Sequence, residues 1–500
     1  MKILSTSIPS DPAHREWWYN AMDCAMTSDI LHKLEPQIPR AQLIYNFERA
    51  LQGPALSMMQ RGVLIDQAER SKQIGVFTGK MLEYQDILNE LAYAVWGKPI
   101  NPNSPKQLCD FFYNELKLPV QYKFNKLTKE KTPSTDRAAM EKLTLHWVAS
   151  PFVNLIGELR DASKKLSVLR RGIGDDGRMR CSYNVTGTET GRWSSNQSVW
   201  GDGTNLQNIT ESLRKMFVAD PGKVLIYADG EQAESRLVGA IIFKLFGDSL
   251  YLDACEEGDL HTTVTKLVWK TLGWTSDAKR DRLIAEAPFY RHFSYRDMAK
   301  RGGHGTNYRG SAFVMAQHLK VPRPLIEAFQ LDYFNAFPGI PRWHRHRQAE
   351  LLRKPEMTTL FGRTRQFFGR PSDDHTLNEA IAFEPQSCVG DLINEGMLRV
   401  WNQRKPLGFD LLMQVHDNII GQVDYDEHLP RKVAAIKELF AVPFDVSGRT
   451  IVIPSEIKTG WNWGNFDATR NPDGLKKWTG SEQRRRLEDP EASVLDRVLY

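Results

Sequence analysis

Val224-Leu225-Ile226-Tyr227-Ala228-Asp229 and, far downstream, Leu411-Leu412-Met413-Gln414-Val415-His416-Asp417 are the two stretches on which the fold turns. Each is a short run of β-formers that ends in a carboxylate, the pattern of a buried strand. After Asn418 the second stretch resumes as Ile419-Ile420-Gly421-Gln422-Val423, so it reads as a hairpin with Asp417 at its turn. A single aspartate at a strand end is ordinarily a cap for the next element. Two of them on neighbouring strands would face one point. Oxygen ligands on a rigid sheet are what a pair of Mg²⁺ ions roughly 3.5–4 Å apart requires.

Between the two strands, Arg296, Lys300, His304 and Tyr308 follow one another at i, i+4 steps and therefore share one helix face. Arg and Lys one turn apart form a fork for phosphate oxygens, and the rings below them can meet a base or a sugar. A lone Arg/Lys pair is usually a solvated surface; here the face continues into aromatic groups. Gly302, Gly303 and Gly305 punctuate the same segment, each costing roughly 1 kcal/mol against Ala in a helix interior. They predict a looser or kinked helix when no nucleotide is bound.

The chain has 500 residues, enough for about two to four packed units. With 41% apolar and 25% charged residues it can bury a sizeable core, which excludes disorder as its main state. Lys plus Arg number 66 against 61 Asp plus Glu, so a polyanion must be held by local basic patches and not by bulk charge. Leu237 to Phe243 is among the longest apolar runs, far short of the ~18 residues of a membrane span. Met1 to Ser10 lacks the pattern of a secretory signal. Five scattered cysteines without a C-x-x-C pair support neither a disulfide scaffold nor a zinc ribbon. These features imply a reduced, soluble, intracellular protein.

Towards the amino end, Trp17, Trp18, Tyr19, Met22, Met26, Ile30 and Leu31 give a helix with a strong apolar face. Further helices are expected over 39–59, 63–97 (with Asp66 as N-cap) and 151–171, the last carrying Arg160, Lys164, Lys165, Arg170 and Arg171. Ser104-Pro105-Lys106-Gln107 reads as a capping box. Residues 121–137, with Lys123, Lys126, Lys129 and Lys131, read as a loop that is either solvated surface or a phosphate contact. Ser455 to Trp463 is a further candidate strand. The tail after Phe466, with Arg484-Arg485-Arg486, is expected to be peripheral or partly disordered.

A family resemblance rests on these residues. Thr188-Glu189-Thr190-Gly191-Arg192-Trp193-Ser194-Ser195 and Asn205-Leu206-Gln207-Asn208-Ile209 resemble the primer-contacting stretch of family A DNA polymerases. Asp229-Gly230-Glu231-Gln232-Ala233-Glu234-Ser235-Arg236 resembles their first palm motif, and Gln414-Val415-His416-Asp417 the last. Asp259-Leu260-His261 and the 296–308 face resemble the fingers, and Thr359-Leu360-Phe361-Gly362-Arg363 the segment after them. The match runs in order over about 50 to 465. It implies an α+β right-hand fold with an antiparallel palm sheet and helical fingers and thumb. The expected division is a remnant of the exonuclease domain at 1–50, thumb at 51–180, palm at 181–244 and 376–465, fingers at 245–375, and a charged tail at 466–500.

The resemblance implies a DNA-directed DNA polymerase that adds dNTPs to the 3′ end of a primer-template. Asp229, Asp417 and the carbonyl of Gly230 would hold two Mg²⁺ ions, with Mn²⁺ as a substitute. Arg296, Lys300 and His261 would grip the triphosphate, Lys300 would protonate the leaving group, and His304 and Gln232 would complete the nucleotide pocket. Glu234 would exclude a 2′-hydroxyl, and Tyr308 would stack near the templating pair. Arg192, Asn205, Gln207, Arg236, Gln386 and His416 would contact DNA. The chain departs from the family at His304 (usually Phe or Tyr), Asn418 (usually Glu) and Ala382 (usually Asn).

Tyr19-Asn20-Ala21-Met22-Asp23 resembles the last motif of the proofreading 3′–5′ exonuclease, but no upstream Asp-x-Glu accompanies it. Proofreading is therefore expected to be absent or supplied by a separate polypeptide. A monomer is expected, working with replisome proteins in the cytoplasm, that of a bacterial host if the chain is phage-encoded. Two rivals are a phage-type single-subunit RNA polymerase, against which Glu234 speaks, and a non-catalytic DNA-binding subunit, which would need neither Asp229 nor Asp417.

Overall fold

The computed structural model describes residues 10–36, 42–124 and 129–480. Pro39, Lys126 and Arg484-Arg485-Arg486, named above, lie outside them, as do residues 1–9 of the stretch read for a secretory signal. At the centre is an antiparallel sheet of five strands, in the order Asp410–Val415, Asn418–Asp424, Lys223–Gly230, Ser455–Gly460, Lys476–Lys477. Successive side chains of a strand point to opposite faces, so consecutive buried residues mean that both faces are covered. Val224, Leu225 and Ile226 satisfy this in the middle strand, and Leu411, Leu412 and Met413 in the hairpin. The helices Asp374–Asn402 and Leu429–Phe440 contribute Val389, Met397, Val433 and Ile436 to the same core. Each fully buried Ile, Leu or Met there contributes about 1.5–3 kcal/mol relative to exposure.

The expected hairpin is present. Val415 pairs with Asn418, leaving His416 and Asp417 as a two-residue turn, and His416 takes the left-handed conformation at φ 55° that such turns use. Asn418 in turn lies opposite Asp229. The two aspartates that are far apart in sequence are thus neighbours at one end of adjacent strands.

Two further apolar clusters flank the sheet. One is helical, with Ile326, Phe329, Tyr333, Phe337, Ile340 and Trp343 at its heart. The other lies where the helix Gln67–Trp96 packs on Ser150–Leu169, around Leu88, Phe111, Phe112, Phe152 and Ile156. Asp66 caps the first of these helices by accepting from the Glu69 amide, and Gly97 ends it at φ 70°.

Several local expectations are corrected. Residues 63–65 are a strand, not helix, because Val63 and Ile65 pair with Met179 and Phe217. The capping box is half made: Ser104 accepts from the Gln107 amide, but the Gln107 side chain turns to the Asn101 amide. The basic loop contains a hairpin, Tyr122–Phe124 with Lys131–Pro133. The tail is not peripheral as far as residue 480, since Leu475 is buried and Lys476–Lys477 joins the central sheet. The helix Pro12–Leu34 forms, but none of its residues is buried, and Trp17 is 70% exposed. All five cysteines are free, and among the described residues no helix is long and apolar enough to cross a membrane.

The cationic helix is continuous. It runs unbroken over Tyr295–Asn307, opened by a reciprocal capping box in which Ser294 accepts from the Asp297 amide and Asp297 from the Ser294 amide. Its glycines are packing positions: a Cβ on Gly302 would come within 2.6 Å of the Phe329 ring, and one on Gly303 within 3.3 Å of Tyr333. The helix Arg323–Ala336 presses against it where side chains are missing. That contact offsets the poor helix propensity of glycine.

Candidate active site

The neighbouring aspartates open onto a cleft of about 270 Å³. Its sheet side is lined by Asp229, Gly230, Gln232, Glu234 and Asp417, its helical side by His261, Lys300, Gly303 and His304. A larger hollow of about 630 Å³ lies at the opposite end of the middle strand, around Arg61, Lys223 and Asp410. There Arg61 and Lys223 are already paired with Asp220, Asp410 and Asp424, so the smaller cleft is the stronger candidate.

Local structure aims the groups. Gln232 adopts φ 56° just before the helix Ala233–Phe246, which turns Glu234 into the cleft in the first helical turn. Glu234 accepts a hydrogen bond from Arg192 at 2.8 Å, and its other oxygen lies 3.5 Å from His304 Nδ1. The second contact spans from the sheet side to the cationic helix. Arg192 also reaches Asp417 at 3.4 Å. Its turn is tight because Gly191, at φ 76°, leaves room for the Arg363 guanidinium, where a Cβ would collide.

Charge is unevenly balanced across this cleft. Burial, and then the charge of Asp417, pushes the Asp229 carboxyl up to about 6. Burial also raises Asp417, with Arg192 opposing and Glu234 adding to the shift. Burial, then the positive charge of Arg296 and Lys300, brings His261 down to about 4, so its imidazole is neutral near pH 7. Tyr308 lies against Glu234, and burial followed by that carboxylate raises its hydroxyl well above the ordinary range. Two carboxylates that resist ionising side by side, with the main chain of Gly230 beside them, suit a hard divalent cation with oxygen preference. Among the described residues no group of three His, Cys, Asp or Glu side chains surrounds a common point.

A model of DNA polymerase family A matches residues 72–465. The chain belongs to that family. It is 30% identical over 470 residues to the thermostable DNA polymerase I of Thermus filiformis, covering 90% of this chain and 52% of that protein. With DNA polymerase I of Deinococcus radiodurans it shares 29% over 472 residues, 90% of this chain and 45% of the other. The chain thus spans about half the length of the relatives it matches. Among solved structures, the POL domain of Pol1 from M. smegmatis, in complex with DNA primer-template and dNTP, superposes with a TM-score of 0.66 at 24% identity, covering 83% of this chain and 70% of that one. The likeness bears out the α+β right-hand fold expected for a family A chain.

The other expected site residues of this family A chain fall in two groups. In the first, His416 is exposed at the hairpin turn, Asn205 and Gln386 are half-buried, and Tyr308 closes the cationic helix. Arg236 is not presented for contact: it is 7% exposed and sits beside Cys255, because its position in the helix faces the core. Gln207 is buried too, its amide donating to Gln414 Oε1 at 2.7 Å. Arg296 stands beside the lining of the cleft, with its Nε and a terminal nitrogen each donating to Asp259 at 2.8 Å.

Gln414 was not singled out from sequence, although a glutamine inside an apolar strand is the signal of a satisfied buried polar group. Its amide donates to the His416 carbonyl at 2.5 Å, and its backbone amide donates to Tyr183 Oη at 3.2 Å. Gln207, Tyr183 and Gln414 together brace the turn that carries Asp417.

Proposed function

We propose that this chain is a template-directed DNA polymerase, extending the 3′ end of a primer with dNTPs. The observation that carries the reading is the juxtaposition of Asp229, at the end of its strand, with Asp417, in the turn that leads into the neighbouring strand, facing Lys300, neutral His261 and His304 across one cleft. On this reading residues 51–180 form the thumb, 181–244 with 376–465 the palm, and 245–375 the fingers. Asp229, Asp417 and the Gly230 carbonyl would hold magnesium, whose chemistry there would be Lewis-acid activation of a hydroxyl and neutralisation of phosphate charge. Lys300 stands in the cleft, exposed and with no ion-pair partner among the described residues, free to hold triphosphate oxygens and to give a proton to the departing group. Neutral His261 donates one hydrogen bond to the same phosphates. Glu234, held by Arg192 and flanked by His304, walls off the sugar where a 2′-hydroxyl would lie. Asn205, Gln386 and His416 line the approach of the primer-template.

End-trimming is not part of the proposal. Asp23, from the exonuclease-like motif, stands on the exposed helix Pro12–Leu34.

Primer extension with the purified chain in Mg²⁺, scoring nucleotide type, number of steps and trimming of a mismatched 3′ end, tests all of this. Extension with dNTPs and no trimming is expected; failure to extend returns the chain to a DNA-binding role. Glu234→Ala should admit rNTPs that the wild type refuses, whereas wild-type use of rNTPs would favour the RNA polymerase reading.

A further inference from the structure

Asp259 precedes the helix Leu260–Val268, yet its carboxylate is turned away from the helix amides. It is occupied instead by two arginines and a hydroxyl. Arg296 gives it two parallel hydrogen bonds at 2.8 Å, Arg282 one at 2.6 Å, and Thr262 one at 2.6 Å. A guanidinium carries five N–H donors in a fixed fork, so Arg296 keeps three for another ligand while two hold its plane. Without the carboxylate, Arg282 and Arg296 would stand as like charges around one point, beside Lys300 and His261, which already feel each other's field. Burial alone would raise the Asp259 carboxyl, yet the bonds from Arg296 and Thr262 and the charges of both arginines hold it well below the usual carboxylate range. The group is therefore an anion across the working pH range.

We propose that Asp259 is the positioning residue of the nucleotide-phosphate grip: it fixes the guanidinium of Arg296 by two bonds, neutralises its repulsion from Arg282, and so presents the three remaining N–H groups toward the triphosphate. The inference rests on the reading of the cleft as a dNTP site. In this role Asp259 touches no substrate atom and acts through Arg296 alone. Arg296 flanks the cleft: its charge and that of Lys300, one helical turn on, both reach His261 in the lining.

The test is a double-mutant cycle on the full chain, with single-nucleotide incorporation giving KM and kcat, pyrophosphate inhibition giving Ki, and melting and DNA affinity measured alongside. Asp259→Asn should raise the KM for dNTP and the Ki for pyrophosphate about tenfold, the loss expected for a charge-assisted pair, with a smaller change in kcat. Added to Arg296→Ala it should change neither constant further. Asp259→Glu, which keeps the charge but shifts it by one methylene, should fall between wild type and Asp259→Asn, and serves should the asparagine variant not fold. Unchanged KM and Ki in Asp259→Asn, losses that simply add in the double variant, or a loss confined to kcat and melting would overturn the proposal. If instead Arg296→Ala and Lys300→Ala both leave the dNTP KM unchanged, it is the dNTP reading of the cleft that fails.

Discussion

Replacing Asp229 by asparagine should stabilise the metal-free protein while ending synthesis. The Asp229 carboxyl is pushed from 3.8 up to about 6 by burial and by the charge of Asp417. A shift of about two units corresponds to roughly 3 kcal/mol. Solvent in the open cleft and the coupling to Asp417 reduce this towards about 2 kcal/mol. The folded state binds this proton more tightly than the unfolded chain does. The penalty is therefore full above about pH 6 and fades as pH falls towards the unfolded value. Asparagine keeps the shape without the charge. In EDTA near pH 8 the variant should melt about 4 °C or more above wild type, taking roughly 2–4 °C per kcal/mol for a unit of 150–250 residues. Near pH 4.5 the gap should largely close. Saturating Mg²⁺ should raise the melting point of the wild type far more than that of the variant. Calorimetry in EDTA at the two pH values, with primer extension alongside, measures each part. A variant that melts below wild type near pH 8, or a gap of equal size at both pH values, refutes the electrostatic reasoning.

Other substitutions probe the remaining parts. Lys300→Ala should lower kcat about 100-fold or more in a rapid-quench assay with DNA affinity unchanged; a loss under about threefold removes it as proton donor. Gly302→Ala brings a methyl against Phe329 and should cost about 1–3 kcal/mol of local stability, read as faster amide exchange over 295–307; unaltered exchange contradicts the packing role of that glycine. Neutralising Lys164, Lys165, Arg170 and Arg171 together should reduce the log–log salt slope of DNA binding by about 2–3, at ~0.9 per phosphate contact. Lys165 should count for less because Asp161 already pairs with it at 2.6 Å. An unchanged slope makes the four ordinary surface.

What could be read from the chain followed the range of the forces involved. The strand ending at Asp229 and the hairpin around Asp417 were legible because an apolar run with a terminal carboxylate is a local signal, as were the caps at Asp66 and Ser104. The face shared by Arg296, Lys300 and His304 was legible because helical period is arithmetic. Long-range partners were not. Val63–Ile65 is too short to declare itself, and exists because Met179 and Phe217 pair with it. The glycines at 302 and 303 read as weakness until Phe329 and Tyr333 were seen to fill the space. Arg236, two residues beyond Glu234, is expected from sequence to contact DNA, yet its helix face points into the core. Asp259, met in sequence only as part of a short motif, shows its use once two arginines converge on it from other helices.

The edge of the central sheet has a practical consequence for anyone shortening this protein. The family match stops at residue 465, but the chain then folds back, donates the Trp461 amide to the Asp473 carbonyl, and lays Lys476–Lys477 along Lys458 and Thr459. Cutting at the match boundary would strip the outermost ribbon and leave the rim of Ser455–Gly460 bare, with open amides and carbonyls able to recruit a second molecule. Light scattering of a 1–465 chain against a 1–480 chain would show it: the longer one should stay monodisperse, and equal behaviour of the two would mean that the last few residues do not guard that rim.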